Sequence, residues 1–522
     1  MKFVIFLLLS SCTQFVKFTD DDYLDEISSN KDKIQIFFSH NINGETHPCG
    51  CRKFPLGGLS QINGLIKSKQ GEYSTLYLDT GDTFFESTTV PSFLKQSSRF
   101  KAKKIAEALD LLGLKFMTPG DQDFALGESF LVEISKEFSF DFLISNASEK
   151  LKLPVKKMIQ IKKDQKSLFF IGVLDPTLLK GSISSLFYSP SQAIKEQLTA
   201  INKIEPTPRL RTIILLSHSG LDTDQKLAKK FPKLDWIIGA HSQSYLRYTQ
   251  DIGETKLAQV LSRNHYLGQI ILPWDKSKKY EYKVLEARDE TQKLINPNPM
   301  ISWLQKFKTN YDKIQQEEQK SISLTYSPTD KTIPTYVSCS DCHSKQVEFW
   351  QGTSHSLAYL TLVHEKANNN RACVKCHSVG FEQEGGFKSV RHIVRKDEKP
   401  VDLEAYLKEL KNNLKVNHPI REQTSKQRAL WAKKWLARDV KKGITANHAN
   451  VQCLNCHNQD MEHPFDSGEV SKVNYKNKCL SCHTRDQSPS WYDKDSKGLA
   501  SSLNSKYFLQ KLKEVSCPKI EK

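Results

Sequence analysis

One five-residue pattern, Cys-x-x-Cys-His, occurs four times in the last third of this 522-residue chain. The two thiols of such a motif add to the two vinyl groups of a haem, and the adjacent imidazole is placed to bind the iron. Four copies therefore predict four covalently attached c-type haems. The residues concerned are Cys339, Cys342, His343, Cys373, Cys376, His377, Cys453, Cys456, His457, Cys479, Cys482 and His483.

Structural zinc is the alternative interpretation of paired Cys-x-x-Cys units. Two such pairs form a four-thiolate site when roughly 15 to 20 residues separate them. Here the gaps between successive pairs are 30, 76 and 22 residues. A zinc ribbon also needs no His directly after every second Cys, whereas haem attachment requires one each time. The spacing and the repeated His favour haem.

The N-terminus, MKFVIFLLLSSCTQ, has one basic residue, a short apolar run and small residues before Cys12. This pattern indicates a secretion signal, which is too short to span a bilayer. The segment Leu9-Ser10-Ser11-Cys12 resembles a bacterial lipobox, in which the Cys is lipidated after cleavage. The alternative is an ordinary signal peptide with an incidental Cys. We expect a signal peptide over 1–11, a tether over 12–31, and a lipid anchor at the periplasmic face of the outer membrane or the cell surface.

The formal charge of +17 suggests anionic partners. Four haems would bring about eight propionates, which offset roughly half of that charge. The charge is mostly lysine scattered along the chain, which is typical of a solvated surface. Nucleic acid is a poor partner for an exported haem protein, so we expect redox proteins as partners and membrane contact through the lipid. The sequence does not determine the oligomeric state.

The region from about 32 to 295 alternates short β-branched or aromatic runs with helical patterns such as Ala102 to Leu112, which predicts an α/β layered domain. The predicted strands are Ile34 to Phe38, Leu76 to Leu78, Phe142 to Ile144, Leu168 to Val173, Thr212 to Leu216 and Trp236 to Ile238. A helix and linker are predicted over 296–334. From 335 to 522 the helical pieces are short, so the expected second domain is mainly helical and rich in loops.

Polar residues follow these strands, where open α/β sheets usually carry their sites. The loops read SHNING after the first strand, DTGD after the second, then TPGDQDF, SHSG and GAHSQ. Their order and spacing resemble the calcineurin-like metallophosphatases, specifically the 5′-nucleotidase branch, over about residues 33–275. The resemblance implies a layered fold with two metals that activate water against a phosphate ester.

The sequence departs from the metallophosphatase pattern at most metal positions. The family's Asp-x-His has become Asn41 and Asn43, and its Asn-His pair has become Asp121 and Gln122. Its last motif retains His241 but has Gln243 in place of the second His. Asp82 and His218 also match, so the resemblance implies one surviving divalent-metal site of Asp82, Asp121, His218 and His241. Because two-metal catalysis needs both metals, a scaffold without hydrolysis is favoured over a working phosphoesterase.

A further cluster lies in the loop HPCGC. Two Cys separated by one Gly, with His40 and His47 nearby, are able to bind a soft metal or to cycle as a strained disulfide. The candidate residues are His47, Cys49 and Cys51. A buried or simply oxidised pair in an exported protein is the alternative.

The C-terminal region resembles the tetrahaem cytochromes c of the nitrifier type over about residues 336–492. Each iron needs a sixth ligand unless it binds substrate, and Met461 is the one Met in this region. The resemblance implies distal roles for His355 and His463, and His448 is a third candidate. His364, His392 and His418 remain open. Two predicted helices, near 402–414 and 424–440, fit the resemblance less closely.

The expected function is electron transfer by an exported multihaem c-type cytochrome, fused to a degenerate metallophosphatase-like domain that serves as a binding or docking platform. One alternative is a haem oxidoreductase, in which one open-coordinate haem acts on a small nitrogen or oxygen species. The other is a single-metal phosphoesterase. The predicted cofactors are four haems c and one divalent metal ion in the N-terminal domain.

Overall fold

The computed structural model describes residues 23–24, 32–48, 55–276, 278–321, 333–340, 342–383, 385–397, 399–457, 474–484, 488–494 and 500–518. These residues form two compact units, of which the first extends to Lys308 and the second begins at Thr309. The predicted signal peptide, lipidation site Cys12 and most of the predicted linker lie outside the described residues. No helix within the described ranges is long and apolar enough to cross a membrane.

The first unit is built from strands and helices that alternate along the chain. Its strands are β1 (Tyr23–Leu24), β2 (Lys33–Ser39), β3 (Ser74–Asp79), β4 (Leu114–Met117), β5 (Asp141–Phe142), β6 (Ile159–Lys163), β7 (Lys166–Leu174), β8 (Arg211–His218), β9 (Trp236–Gly239), β10 (Gln250–Ile252), β11 (Thr255–Ala258), β12 (Tyr266–Pro273) and β13 (Glu281–Glu286). Its helices are α1 (Leu59–Ser68), α2 (Lys95–Leu112), α3 (Glu128–Glu137), α4 (Pro190–Ile204), α5 (Leu221–Lys230) and α6 (Pro299–Ser321), which ends beyond the unit boundary.

Two mixed sheets organise this unit. One has the strand order β1-β6-β7-β8-β9-β11-β10, and the other has the order β13-β12-β2-β3-β4-β5. The neighbours β2, β3 and β4 are parallel, as are β7, β8 and β9. Parallel strands place their carboxyl ends at one edge, which is where the polar loops of the sequence begin.

The core of the first unit lies between the two sheets. In β8, Ile214 and Leu216 face the other sheet, whereas Ile213 and Leu215 pack with α4 and α5. This alternation follows from the two-residue period of a strand. Because both faces of β8 are covered, the strand reads as a continuous apolar run. The result is an α/β layered unit.

We expect Phe170→Ala to destabilise the first unit by about 3–5 kcal/mol, because it would leave a cavity between the sheets. Phe170 is fully buried, and its ring contacts the Phe116 ring edge-on with the centroids 5.0 Å apart. The measurement is urea unfolding of the full chain followed by far-UV circular dichroism. Leu111→Ala, at a side chain that is 56% exposed, is the control and should change the free energy by less than about 0.5 kcal/mol. Equal effects of the two changes would contradict this description of the core.

The second unit consists mainly of short helices. These are α7 (Tyr336–Cys339), α8 (Ser344–Gln351), α9 (Ala358–His364), α10 (Arg371–His377), α11 (Leu403–Leu414), α12 (Ser425–Lys442), α13 (Cys453–Cys456), α14 (Tyr475–Leu480) and α15 (Ser505–Val515). Its strands are β14 (Val394–Lys396), β15 (Lys399–Pro400), β16 (Ala446–Asn447), β17 (Tyr492–Lys494) and β18 (Ala500–Leu503). The two helices predicted near 402–414 and 424–440 are confirmed as α11 and α12.

A buried carboxylate holds the longer elements of the second unit together. Asp439 on α12 accepts hydrogen bonds from the hydroxyls of Tyr336 at 2.8 Å and Tyr406 at 2.6 Å, and from the amide of Asn447 at 2.7 Å. Burial raises the pKa of Asp439. The Tyr336 backbone N–H also donates to the side chain of Gln452 at 2.8 Å. These bonds connect α7, α11, α12 and β16 to the segment that precedes the third Cys-x-x-Cys-His motif.

Candidate functional site

Four candidate metal ligands of the first unit come together at the carboxyl ends of strands from both sheets. Asp82 follows β3, Asp121 follows β4, His218 ends β8 and His241 follows β9. One ligand atom from each residue lies within 4.8 Å of the others. Carboxylate and imidazole together suit divalent transition metals such as zinc, manganese or iron.

The Asp121 carboxylate links the two imidazoles. Its Oδ1 lies 3.2 Å from His218 Nε2 and 3.1 Å from His241 Nδ1. Burial would raise the pKa of Asp121, but the hydrogen bonds from the two imidazoles hold it well below its usual range. Burial would likewise lower the pKa of His218, but the charge of Asp82 and the bonds to both carboxylates raise it well above its usual value. Without a metal, a proton on His218 therefore takes the place of a cation.

A hydrogen bond on the far side of the ring fixes the orientation of His218. Its Nδ1 donates to the carbonyl of Thr80 at 2.7 Å, which leaves Nε2 facing the carboxylates. A backbone carbonyl on the far ring nitrogen is the usual support of a metal-bound imidazole. His218 is fully buried, whereas the His241 side chain is 34% exposed, so the cluster reaches solvent on the His241 side.

Two amide side chains contact Asp82: Asn41, which stands where the resemblance implies a ligand of the second metal, and Gln122. Asp82 Oδ2 accepts hydrogen bonds from Asn41 Nδ2 at 3.2 Å and from Gln122 Nε2 at 3.1 Å. This carboxylate oxygen is therefore occupied by two N–H groups. Asn43 Oδ1 and Gln122 Oε1 are buried with no hydrogen-bond partner within the part of the chain that the structure describes. The donor set fits one cation, bound by Asp82, Asp121, His218 and His241.

His40 orients one of these amides, a role that the sequence did not reveal. Its Nε2 accepts a hydrogen bond from the Val260 backbone N–H at 2.7 Å, so its Nδ1 carries the proton that Asn41 Oδ1 accepts at 2.8 Å. The Asn41 amide nitrogen is thereby directed toward Asp82. Burial lowers the pKa of His40 to about 4. Both ring nitrogens of His40 are thus engaged beside the cluster.

The loops around the cluster are tightly packed. A Cβ on Gly120 would lie 2.3 Å from Asp82 Oδ1 and 2.4 Å from His218 Cε1, so only glycine fits between these ligands. Asn41, Asp82 and His241 have φ values of 49°, 56° and 69°. Such left-handed backbone at non-glycine residues is uncommon and concentrates at functional sites.

The neighbouring carboxylates give the metal-free unit a pH-dependent stability. Burial raises the pKa of Asp79 to about 6, and burial with the charge of Asp82 raises that of Asp123 to about 7. A carboxyl group with a raised folded-state pKa stabilises the fold below its unfolded value of about 4, and this stability is lost as the pH rises through the folded value. We therefore expect the melting temperature of the metal-free protein to fall between pH 5 and pH 8.

A bound divalent cation should reduce that fall, because it stabilises the ionised carboxylates. Calorimetry with and without manganese at pH 5, 6, 7 and 8 measures the effect. At 100 times its Kd, a ligand adds about 2.7 kcal/mol, so the curves should diverge toward pH 8. Superimposable curves at every pH would contradict a cation site in this unit.

Of the other metal candidates of the first unit, His47 alone lies among the described residues. His47 is exposed, and its Nδ1 lies 2.8 Å from Thr46 Oγ1. Cys49 and Cys51 lie outside the described residues. A soft-metal or redox role for this loop stays a prediction.

In the second unit, each Cys-x-x-Cys-His motif lies in or beside a short helix, namely α7, α10, α13 and α14. The eight motif cysteines are free of disulfides. The thiols of sequence-distant motifs nevertheless lie near each other: Cys453 lowers the pKa of Cys339, and Cys482 raises the pKa of Cys376. The fold therefore places the first motif beside the third and the second beside the fourth.

Two of the four motif imidazoles have the orientation that iron binding needs. His377 Nδ1 donates to the Ala358 carbonyl at 2.7 Å, and His483 Nδ1 lies 2.9 Å from Ser488 Oγ. In both residues Nε2 is left as the iron-binding nitrogen, supported by a hydrogen bond on the far side of the ring. Free thiols, oriented imidazoles and their spacing fit covalent haem.

The His355 ring lies near the imidazole of the fourth motif. The ring centroids of His355 and His483 are 6.3 Å apart. Two metal–nitrogen bonds of about 2 Å each, with the distance from each nitrogen to its ring centre, require about this separation. Of the predicted distal ligands, His355 is the one whose ring lies opposite a motif His at this spacing within the described ranges.

The other distal candidates differ in their surroundings. His448 is fully buried, with its Nε2 2.6 Å from Arg395 Nη2 and its Nδ1 without a partner among the described residues. The rings of His364 and His418 stack on each other with centroids 3.8 Å apart, too close for an iron between them. His392 is buried. His463 lies outside the described residues, so its distal role stays a prediction.

Two parts of the chain are similar to different known proteins. The family described as "Cytochrome c554 and c-prime" matches residues 338–398. An apyrase of Aedes albopictus is 26% identical over 265 residues, which cover 47% of this chain and 45% of the apyrase. Snake venom 5′-nucleotidase of Gloydius brevicauda is 25% identical over 215 residues, which cover 39% of this chain and 34% of that enzyme. The chain thus spans less than half the length of these relatives.

A solved structure of a 5′-nucleotidase precursor from Thermus thermophilus is also similar. It is 16% identical, with a TM-score of 0.45, and the match covers 54% of this chain and 60% of that one. The sequence relatives support a metallophosphatase-like domain of the 5′-nucleotidase type in the N-terminal part of the chain.

Proposed function

We propose that this chain, a metallophosphatase-like domain followed by a segment that matches a cytochrome family, carries electrons through four covalently bound haems. The observation that supports this most directly is the arrangement of the motif imidazoles. His377 and His483 have Nε2 free and Nδ1 hydrogen-bonded, and His355 lies 6.3 Å from His483 between ring centroids. Haem supplies one-electron redox chemistry when it is bound at these motifs.

The chain's own residues would hold and orient these groups. The paired thiols of each motif would hold a haem covalently, and the motif His would supply one iron-binding nitrogen. For the fourth motif, His355 would supply a second imidazole. Two imidazole ligands would leave no position open for substrate, which suits a carrier rather than a reactive site. The pairing of the first motif with the third, and of the second with the fourth, would keep the haems close enough to exchange electrons.

A pyridine haemochrome assay and a carbon monoxide titration of the purified holoprotein test this function. We expect four haems per chain, all low-spin, with a dithionite-reduced spectrum that carbon monoxide does not change. A haem content near zero would refute the proposal. If one haem in four binds carbon monoxide, one iron lacks a distal ligand, and the function becomes redox chemistry on a small nitrogen or oxygen species at that haem.

We assign the metallophosphatase-like unit a binding role without two-metal hydrolysis. The cluster of Asp82, Asp121, His218 and His241 would hold one cation, whereas Asn41 and Asn43 stand in place of the Asp and His that would hold a second. Gln122 donates a hydrogen bond to Asp82, but its amide has no acidic proton to give a leaving group. Isothermal titration with manganese, zinc, phosphate and nucleotides tests the role, and a protein that binds none of them is not such a platform.

Single-metal hydrolysis of a phosphate ester is a second candidate, favoured by the same four-residue cluster and its opening to solvent beside His241. The similarity to an apyrase and a 5′-nucleotidase makes nucleotides the first substrates to test. Manganese-dependent release of phosphate from AMP that disappears in Asp121→Ala would establish it. An equal background rate in both proteins would exclude it.

We further propose that the chain is exported and held at a membrane by a lipid on Cys12. The sequence pattern before Cys12 and the need to attach haem outside the cytoplasm support this. Detergent phase partitioning of the native protein and of Cys12→Ala tests it, because only the lipidated form should enter the detergent phase.

A further inference from the structure

The longest helix that begins in the second unit, α12, has an unusual charge composition. It contains seven Lys or Arg residues and one acidic residue, Asp439, which is buried and hydrogen-bonded to three side chains. The matched cytochrome family segment ends at residue 398, so α12 is not part of it. Neither the proposed haem attachment nor the cation site explains this helix.

The side chains of α12 divide sharply between two faces. Trp431, Ala432, Trp435 and Asp439 are buried and face the core of the second unit. At 3.6 residues per turn, the opposite side of the helix presents what we call the lysine face. Its members are Lys426, Leu430, Lys433, Lys434, Ala437, Val440 and Lys441, all of which are exposed.

The lysine face combines unpaired charge with apolar surface. Lys433 pairs with Glu348, but Lys426, Lys434 and Lys441 have no ion pair with any residue that the structure describes. Between these lysines, Leu430 is 47% and Val440 63% exposed. Exposed apolar residues ringed by one sign of charge are typical of a surface that binds a partner of the opposite sign, whose charges steer the encounter.

Helix α12 contacts the segment between the first motif and His355. Arg428 Nε donates to the Gly352 carbonyl at 2.8 Å, and Lys433, at the edge of the lysine face, has its Nζ 2.6 Å from Glu348 Oε1 on α8. Helix α8 begins directly after His343. A protein on the lysine face would therefore lie within about one helix diameter, roughly 10 Å, of this segment.

We propose that the lysine face is the docking surface for an acidic electron-carrier protein, which exchanges electrons with the haems beside α8. This inference rests on the proposed electron-transfer function. In each event one electron leaves a ferrous haem and reduces the ferric centre of the partner, and no bond or proton changes. A membrane surface fits less well, because an interfacial helix directs its Trp residues outward, whereas Trp431 and Trp435 are in the core.

Stopped-flow mixing of the reduced holoprotein with two defined probes tests the inference. Succinylated cytochrome c is the acidic probe, and unmodified cytochrome c has the same fold with a basic surface. We expect the acidic probe to be reduced at least tenfold faster at 10 mM than at 200 mM salt, and the basic probe to show no such acceleration. A rate for the acidic probe that does not depend on salt would overturn the proposal.

Charge reversal locates the surface. The triple change Lys426→Glu, Lys434→Glu and Lys441→Glu should slow reduction of the acidic probe about tenfold at low salt. The matched control reverses three exposed lysines of α5 in the first unit, Lys226, Lys229 and Lys230, with the same change in net charge. The control should alter the rate less than twofold. Equal losses in both variants would mean that total charge, and not the lysine face, determines the rate.

Further readouts separate folding, haem content and lipid binding from docking. The haem count, the spectrum and the rate of reduction by neutral lumiflavin semiquinone should be the same in all three proteins. If the wild type lacks haem, the proposed function fails before docking is tested. If the α12 variant loses binding to phosphatidylglycerol vesicles but keeps its rate with the acidic probe, the lysine face is a membrane surface and the docking proposal is wrong.

Discussion

His355→Ala should convert about one quarter of the haem from low-spin to high-spin and allow that fraction to bind carbon monoxide. The expectation follows from the position of the His355 ring, 6.3 Å from that of His483 between centroids. Losing one axial imidazole leaves the fourth-motif iron five-coordinate, which shifts its spin state and opens it to exogenous ligands. Electron paramagnetic resonance of the oxidised protein and visible spectra of the reduced protein measure the change.

Two controls make the His355 result specific. Adding imidazole to His355→Ala should restore the low-spin spectrum, because the free ligand replaces the lost side chain. His364→Ala removes a ring that stacks on His418 and faces no motif imidazole in the described residues, so its spectrum should match the wild type. A low-spin His355→Ala protein that ignores carbon monoxide would show that another residue ligates this iron.

Asp121→Ala should weaken divalent-metal binding to the first unit by at least about 100-fold. The carboxylate contacts both imidazoles of the cluster, and its loss leaves one carboxylate for the cation and removes the acceptor that orients His241. Loss of a supporting residue alone costs about 10–100-fold in metal affinity, so loss of a ligand should cost more. Isothermal titration with manganese after removal of adventitious metal gives the affinity.

Asp224→Asn is the matched control for the metal site. Asp224 is fully buried, and burial raises its pKa to about 8, so it is already protonated at neutral pH and an amide is nearly isosteric with it. Its carboxylate is not part of the four-residue cluster. We expect metal affinity to change less than threefold. An equal loss in both variants would indicate that Asp121 acts through the fold rather than as a ligand.

Several strands of the first unit could be predicted because their residues form continuous apolar runs. Leu168 to Val173 and Thr212 to Leu216 are apolar runs that parallel strands covered on both faces require, and they lie within β7 and β8. Helix α2 begins at Lys95, seven residues before the predicted Ala102–Leu112. The added residues are mostly polar and lack the helical spacing of apolar residues on which the prediction depended. The short β4, Leu114–Met117, was not predicted because Lys115 interrupts it and tertiary pairing decides its conformation.

The sequence also predicted part of the candidate metal site, namely its ligands, but not the hydrogen bonds around them. Asp82, Asp121, His218 and His241 could be named through the resemblance to the metallophosphatase motifs, and each follows or ends a strand. The hydrogen bonds of Asn41 and Gln122 to Asp82 could not be predicted, because they depend on side-chain orientation across loops that are about 40 residues or more apart in the chain. His40 was missed as a positioning residue for a related reason, since Val260 orients its ring from a distant part of the sequence.

The meeting of thiols from distant motifs has a consequence for how the chain matures. Cys339 and Cys453 lie near each other, as do Cys376 and Cys482. An oxidant acting on the folded haem-free chain would join such neighbours as disulfides, and a sulfur in a disulfide cannot add to a vinyl group. If haem is attached as proposed, these thiols must therefore be kept reduced until attachment.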